Sequence, residues 1–331
     1  MSDKKPSILI TGANGFVGTR LCRKFLDENF DVIAGIRKSG DLSQLDDLDI
    51  KFRYGDVTQP ATLDDMVKGV DYIIHNAGIV KAKKRDRFFF VNEQGTKNLL
   101  EAVFKNNPDL KKIIYISSQA AAGPIIDNRP VTEDDPPHPI TTYGKSKLAG
   151  EKAVLSYAGK LNVVAVRPPG IYGPGDKEIF SFFQTVNNHI KPFIGDTTRR
   201  LQLVYVDDLC QGIFKALTAN TKSGSVYFIA EKRSYSMKQL VELLESASGK
   251  KGIALFIPSF LFKFIALISG GLFKLVNATP MLTLEKAGEL LASWEISTAK
   301  AKNEIQFESK TDFEQGARVT YQWYRKEGWL K

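Results

Sequence analysis

Cysteine is scarce in this chain: Cys22 and Cys210 are the only two in 331 residues, far apart and in no metal-ligand spacing. That scarcity excludes a disulfide framework and a zinc site, and no other metal is expected. No apolar secretory core stands before the first strand-like stretch, because Met1 to Pro6 is short and charged, so export is not expected and the cytoplasm is. Internal repeats and low-complexity tracts are also missing, which leaves a globular enzyme as the expected class. Hydrophobic residues make up 43% of the chain, ample for a sizeable core. The net charge of +9 suits an acidic ligand, a membrane surface or nucleic acid, yet the basic residues are mostly dispersed among acidic ones. Beyond charge there is no nucleic-acid signature. The one dense basic run, Lys81 to Arg87 (KAKKRDR), is expected to be a solvated loop, with contact to a cofactor rim or an anionic surface as the alternative.

Apolar runs of strand length alternate with longer helical patterns through the first two thirds of the chain. This is the mark of a parallel sheet with helices on both faces. The expected strands are Ser7 to Thr11, Asp31 to Ile36, Ile50 to Tyr54, Tyr72 to Asn76, Lys112 to Ser117 and Asn162 to Arg167. Phe16 to Glu28 and Asn92 to Asn106 carry apolar residues at three- and four-residue steps and are expected to pack on the sheet as helices. Right-handed crossovers then give an α/β, Rossmann-type doubly wound fold. After Arg167 come a Pro- and Gly-rich stretch, a helix near Ile179 to His189 and a strand-plus-helix entry at Leu203 to Leu217. The expected division is a dinucleotide-binding domain over 1–170, with 201–230 returning to it. A smaller, mostly helical substrate-binding cap takes 171–200 and 231–331.

The first strand runs into Thr11-Gly12-Ala13-Asn14-Gly15-Phe16-Val17-Gly18, three glycines at even spacing that open a helix. Glycine permits the tight turn and lets backbone N–H groups approach a pyrophosphate at the helix N-terminus, while Gly18 allows close helix-on-strand packing. NAD-specific sites usually place an acid at the end of the second strand, and none is present in Gly35-Ile36-Arg37-Lys38. Arg37 offers a planar fork of donors to a 2′-phosphate, with Lys38 adding charge, so NADP(H) is favoured and NAD(H) is the alternative. Asp56 and Val57 follow the third strand and face the adenine. Asn76, Ala77 and Gly78 end the fourth and line the dinucleotide by main chain, and His75 beside them is expected to be a packed, hydrogen-bonded histidine.

Ser117-Ser118 closes the fifth strand, and Thr142-Tyr143-Gly144-Lys145-Ser146-Lys147 begins a helix running to about Ala158. Tyr143 and Lys147, four apart, share one helix face. A phenol with a pKa near 10 is a poor base at neutral pH, so a nearby ammonium that favours the phenolate lets Tyr143 exchange a proton with a substrate hydroxyl or carbonyl. Lys147 can also bond the nicotinamide ribose, and Ser118 can hold the substrate oxygen.

Together TGANGFVG, HNAG, ISS, YGKSK, RPPGIYGPG and YVDD resemble the extended short-chain dehydrogenase/reductase superfamily, including the NAD-dependent epimerase/dehydratase family, over nearly the whole chain. The resemblance implies a catalytic triad of Ser118, Tyr143 and Lys147, an Asn92 that orders the helix or a water chain beside Lys147, and a nicotinamide contact from Pro168 through Gly170 to Ile171. It also implies a homodimer through the helices near Asn92 and Tyr143. The chain departs from the family at Asn76 and Gly78, where alanines are frequent, and in the missing acidic determinant.

Nucleotide-sugar members of the family commonly carry an arginine, followed by an acid, just before the Tyr-Val-Asp-Asp strand. Here Leu201 and Gln202 stand in those places, with Arg199 and Arg200 as partial substitutes. Ile253 to Val276 is strongly apolar but broken by Pro258, Lys263, Gly270-Gly271 and Lys274, so a spanning helix is not expected. Lys263 and Lys274 return to nearly the same helical face. Phe260, Phe264 and Leu267 line an apolar substrate pocket, lie on a membrane surface, or belong to a buried cap helix. This stretch, with Leu282-Thr283 and a helix to Trp294, resembles the 3β-hydroxysteroid dehydrogenase and dihydroflavonol 4-reductase branches. The expected activity is therefore NADP(H)-dependent interconversion of a secondary alcohol and a ketone on a bulky apolar small molecule such as a steroid, lipid or flavonoid-like compound. Nucleotide-sugar epimerisation or dehydration with retained hydride is the second reading, and a cofactor-binding scaffold at the inner face of a membrane is the third.

Overall fold

A computed structural model describes residues 5–275 and 283–331; Met1 to Lys4, Val276 and Leu282, which entered the sequence reading, lie outside the described residues. Six strands follow one another as β1 (Ser7–Thr11), β2 (Asp31–Ile36), β3 (Lys51–Tyr54), β4 (Tyr72–His75), β5 (Lys112–Ile116) and β6 (Val163–Arg167). Then come β7 (Gly170–Tyr172), β8 (Ile190–Ile194), β9 (Arg200–Tyr205), β10 (Ser225–Phe228), β11 (Ser234–Ser236) and β12 (Ile253–Ile257). Seven strands make one parallel sheet in the order β10-β6-β5-β4-β1-β2-β3. All residues of β1, β5 and β6 are buried, as their near-continuous apolar runs demand of a sheet covered on both faces. On one face Leu21, Cys22 and Phe25 join Leu209 and Ile213 of the helix Val206–Thr218. On the other, Met66, Leu99, Val103 and Val154 close the second core. This is the Rossmann-type doubly wound sheet expected from the alternation of runs. Its strand order reverses between β1 and β4, and a crevice at their carboxyl ends follows from that topology.

The C-terminal region is helical, as expected, but it also contains strands. β11 pairs antiparallel with β9, which pairs parallel with β7. β12 lies parallel to β8. The apolar stretch from Ile253 therefore opens as a strand, ended by Pro258, before the helix Ser259–Leu275 begins. An aromatic cluster of Tyr172, Phe183, Tyr235, Phe313 and Tyr324 holds β7, β11 and the helices Phe180–Asn187 and Phe313–Lys326 together. Among the described residues no helix is long and apolar enough to cross a membrane.

Two further details differ from the sequence expectation. Helical backbone begins at Arg85 rather than Asn92, and a π-turn over Phe90–Gln94 leads into the helix Gly95–Asn106. The basic run is consequently part helix, with Lys81 paired to Glu178 at 2.8 Å and Arg85 to Glu285 at 2.8 Å.

Candidate active site

The glycine turn is built as the chemistry of a phosphate cradle requires. Gly12 has φ +66°, in the left-handed region, and a Cβ there would stand 3.0 Å from Ala77 Cα. A Cβ on Gly18 would lie 2.1 Å from the Gly12 carbonyl oxygen, so this glycine is what lets the helix Phe16–Asp27 sit against the turn. Gly15 occupies the N-cap with no side-chain acceptor on the first helical N–H groups, and it is exposed. Unsatisfied donors at the positive end of a twelve-residue helix fit an anion. Asn14, Phe16 and Val17 are half-buried around this opening. The Asn14 amide donates to the Asp41 carbonyl at 3.1 Å, and the Asn76 amide donates to the Gly12 carbonyl at 3.2 Å.

Arg37 and Lys38 are exposed directly after β2, and the Arg37 side chain enters no ion pair among the described residues. Asp56, after β3, accepts from Thr58 through one carboxylate oxygen, at 2.8 Å from the amide and 2.7 Å from the hydroxyl. Its other oxygen is left for an external donor such as an adenine amine. Val57 is buried, and its carbonyl accepts from Asn98 at 2.7 Å.

His75 is fully buried between two threonines, Thr11 Oγ1 at 2.9 Å from Nδ1 and Thr96 Oγ1 at 3.0 Å from Nε2. Because Thr96 gives its proton to the Asn92 carbonyl, its oxygen accepts from the Nε2–H, and Nδ1 then accepts from Thr11. Burial, with a contribution from Lys147, pushes the imidazole down to about 3, so it is a neutral packing residue. The Asn92 side chain is also locked: its oxygen accepts from the Ile79 amide at 2.8 Å, and its nitrogen donates to the Ile79 carbonyl at 3.0 Å and to Ser146 Oγ at 2.9 Å. The π-turn is what aims it there, a common use of such bulges.

The helix Thr142–Leu155 carries Tyr143 and Lys147. Lys147 Nζ is buried, donates to the Ile116 carbonyl at 2.6 Å and lies 4.4 Å from the centre of the Tyr115 ring. Gly78 passes beside it: a Cβ there would be 3.0 Å from Asn92 Oδ1 and 3.8 Å from Lys147 Nζ. Burial pushes the ammonium down to about 7, opposed by the carboxylate of Glu151. The Tyr143 ring is half-buried against Phe88. Desolvation raises the phenol to about 12, partly offset by the nearby Ser118 side chain. Ser118 caps the short helix Gln119–Ala122, accepting from Ala120 N at 3.1 Å. On either side of it Ser117 Oγ and Gln119 Nε2 are buried without partners among the described residues, a deficit that a bound group or water would relieve. Pro168 accepts from Gln119 N at 2.8 Å, which brings the start of the Pro168–Ile171 stretch next to Ser118, and Gly170 and Ile171 continue it as β7. The residues present thus fit a dinucleotide laid from Arg37 across the glycine turn to Lys147.

Leu201 and Gln202 are structural. Leu201 pairs with Tyr235, and Gln202 donates to the Glu231 carbonyl at 2.5 Å while accepting from Ile296 N at 2.8 Å. Arg200 is bound to Ser234 Oγ at 2.6 Å and Ser234 O at 2.9 Å; Arg199 is buried and donates to the Ile194 and Asp196 carbonyls. Sequence reasoning missed Glu285. Its carboxylate accepts from Thr142 N at 2.8 Å and Thr142 Oγ1 at 3.0 Å, and no local pattern links positions 143 residues apart.

A profile of the NAD dependent epimerase/dehydratase family matches residues 8–230, and the chain belongs to that family. It is an NAD(P)-dependent enzyme of the extended short-chain dehydrogenase/reductase type. A ceramide reductase of Caulobacter vibrioides is 29% identical over 99% of this chain and 98% of its own length. A 3-beta-hydroxysteroid dehydrogenase of Mycolicibacterium neoaurum is 28% identical over 74% of this chain and 70% of its own. The crystal structure of gox2253 superposes with a TM-score of 0.84 at 25% identity, covering 99% of this chain and 100% of the other.

Proposed function

We propose that this protein is an NADP(H)-dependent oxidoreductase that interconverts a secondary alcohol and a ketone on a bulky, apolar, lipid-like substrate. The nicotinamide of a dinucleotide held at the glycine turn would supply or accept the hydride. Tyr143 gives the proton to the developing alkoxide in reduction and takes it back in oxidation. Its neutral phenol, raised to about 12, suits the donor role across the physiological range, and Lys147, when protonated, favours the phenolate that proton donation leaves and that the return step consumes. Ser118, beside the same phenol, orients the substrate oxygen. Arg37, exposed at the end of β2 where an acid would bond a ribose 2′-hydroxyl, supports NADP(H).

The observation that carries the substrate class is the bonding of Arg199, Arg200 and Gln202 into the protein itself. Those bonds compete with any clamp that these arginines would place on a sugar diphosphate. Similarity to a ceramide reductase and a hydroxysteroid dehydrogenase points the same way.

The test is fluorescence titration with NADPH and NADH, wild type against Arg37→Ala, followed by an absorbance assay with long-chain ketones. A preference for NADPH that collapses in the variant, and ketone-dependent NADPH consumption, are expected. Tighter NADH binding indifferent to Arg37, with conversion of a nucleotide sugar and no net cofactor change, would overturn the reading in favour of retained-hydride sugar chemistry.

A further inference from the structure

Phe262 and Ala266 are the buried residues on the helix Ser259–Leu275 as far as its side chains are described, packed on Ala287 and Leu291 of the helix Leu284–Leu291. The larger apolar face points outward. Phe260 is 75% exposed, Phe264 57% and Leu267 56%, and the adjoining strand β12 adds Ile253 at 80% and Phe256 at 67%. These side chains are therefore not buried in a cap helix. A helix apolar on nearly all sides needs a second apolar medium, and among its described side chains the protein covers one narrow stripe.

Charge says what that medium is. Between Glu245 and Glu285 the chain contains no aspartate or glutamate, but it has Lys250, Lys251, Lys263 and Lys274. Lys251 and Lys263 are exposed within the apolar surface or at its border. Glu245 itself is engaged, by Lys191 at 3.3 Å and by Gly252 N at 2.8 Å. A second copy of the chain would set these lysines against one another with no acidic complement, since a two-fold interface pairs a patch with itself. An anionic bilayer supplies both an apolar interior and a negative surface.

We propose that β12 and the helix Ser259–Leu275 form a docking face for an anionic phospholipid bilayer, from which the enzyme draws its lipid-like substrate. The docked helix rests on the helix Leu284–Leu291, whose Glu285 is bonded to the first turn of the helix bearing Tyr143, so the face lies one helix away from the candidate catalytic residues. The source of the substrate rests on the apolar-substrate reading; the docking itself does not.

Flotation with phosphatidylcholine vesicles, with and without phosphatidylglycerol, tests it on the full chain. The wild-type protein is expected to float with the anionic vesicles at least about tenfold more than with neutral ones, since each lysine near an anionic surface contributes roughly fivefold in partitioning. Phe260→Glu with Phe264→Glu should abolish flotation while leaving the melting temperature and NADPH titration unchanged. Lys250→Glu with Lys251→Glu and Lys263→Glu should remove only the preference for anionic lipid. Absence of flotation by the wild-type protein, equal binding to neutral vesicles, or a dimer that the phenylalanine variant converts to monomer without any vesicle binding would each overturn the proposal. NADPH consumption with a detergent-dispersed ketone is measured separately. Turnover without flotation sinks the docking face alone, and flotation without turnover sinks the oxidoreductase reading alone.

Discussion

Glu285 caps the helix that bears Tyr143: its carboxylate accepts from both the amide and the hydroxyl of Thr142, and Arg85 donates at 2.8 Å to the same oxygen as that hydroxyl. Thr141 already caps the same helix locally by accepting from Gly144 N at 3.0 Å. The remote carboxylate thus adds an anion at the positive end of the helix and ties it to the C-terminal region.

From this relationship we predict that Glu285→Ala lowers kcat/KM for the ketone about tenfold, equivalent to about 1.4 kcal/mol, by loosening the first turn around Tyr143. Affinity for NADPH should stay as in wild type, and Glu285→Gln should recover part of the loss, because an amide oxygen still accepts from Thr142. Unchanged kcat/KM in the alanine variant would reduce the contact to a surface ion pair of little consequence.

Tyr143→Phe keeps the ring against Phe88 and removes only the hydroxyl. Turnover is predicted to fall by about 10³, within the range of a lost general acid, while NADPH binds normally. Residual activity within tenfold of wild type would assign the proton transfer to another group.

The glycines of the first turn should separate folding from binding. At Gly18 an added Cβ meets the Gly12 oxygen at 2.1 Å and Ala13 Cα at 2.8 Å, all backbone that cannot yield, so Gly18→Ala is predicted to lower the melting temperature sharply or prevent folding. At Gly15 the nearest atom is the Gly12 oxygen at 3.4 Å, an ordinary contact, and the position is exposed. Gly15→Ala should therefore melt like wild type but bind NADPH at least about tenfold more weakly, since the methyl group stands where the backbone would approach the pyrophosphate. Equal binding would show that the dinucleotide does not lie over Gly15.

What the sequence makes legible here is what is encoded locally. The glycine turn, the Tyr143/Lys147 spacing and the apolar runs of β1, β5 and β6 each lie within a few neighbouring residues, and such patterns follow from backbone geometry alone. The five apolar residues of β12 could not be assigned, because a short continuous apolar run has no period to tell strand from helix. Glu285 was invisible for a different reason: its partner is set by how two distant segments pack, and no local propensity records that. The binding of Arg199 and Arg200 to backbone and Ser234 is equally non-local.

Glu231 gives the fold a pH dependence of unusual sign for a carboxylate. It is 2% exposed, accepts from the Tyr235 hydroxyl through one oxygen, and its Oε2 has no partner among the described residues. Burial pushes its pKa from 4.5 up to about 7, with Asp312 adding to the rise and Tyr235, the Phe313 amide and Arg233 opposing it. In the unfolded chain the group ionises near its ordinary value, so between pH 4.5 and 7 the folded state holds more protons than the unfolded state. Stability contributed by the protonated form is then fully present at the acid end and lost as pH rises towards 7, by roughly 3 kcal/mol at most. We predict that Glu231→Gln, which keeps an acceptor for Tyr235 and cannot ionise, flattens the melting temperature across this window and leaves it higher than wild type at pH 8. A wild-type melting temperature that rises from pH 5 to 7 with the same slope in Glu231→Gln would show that Glu231 is ionised in the folded protein.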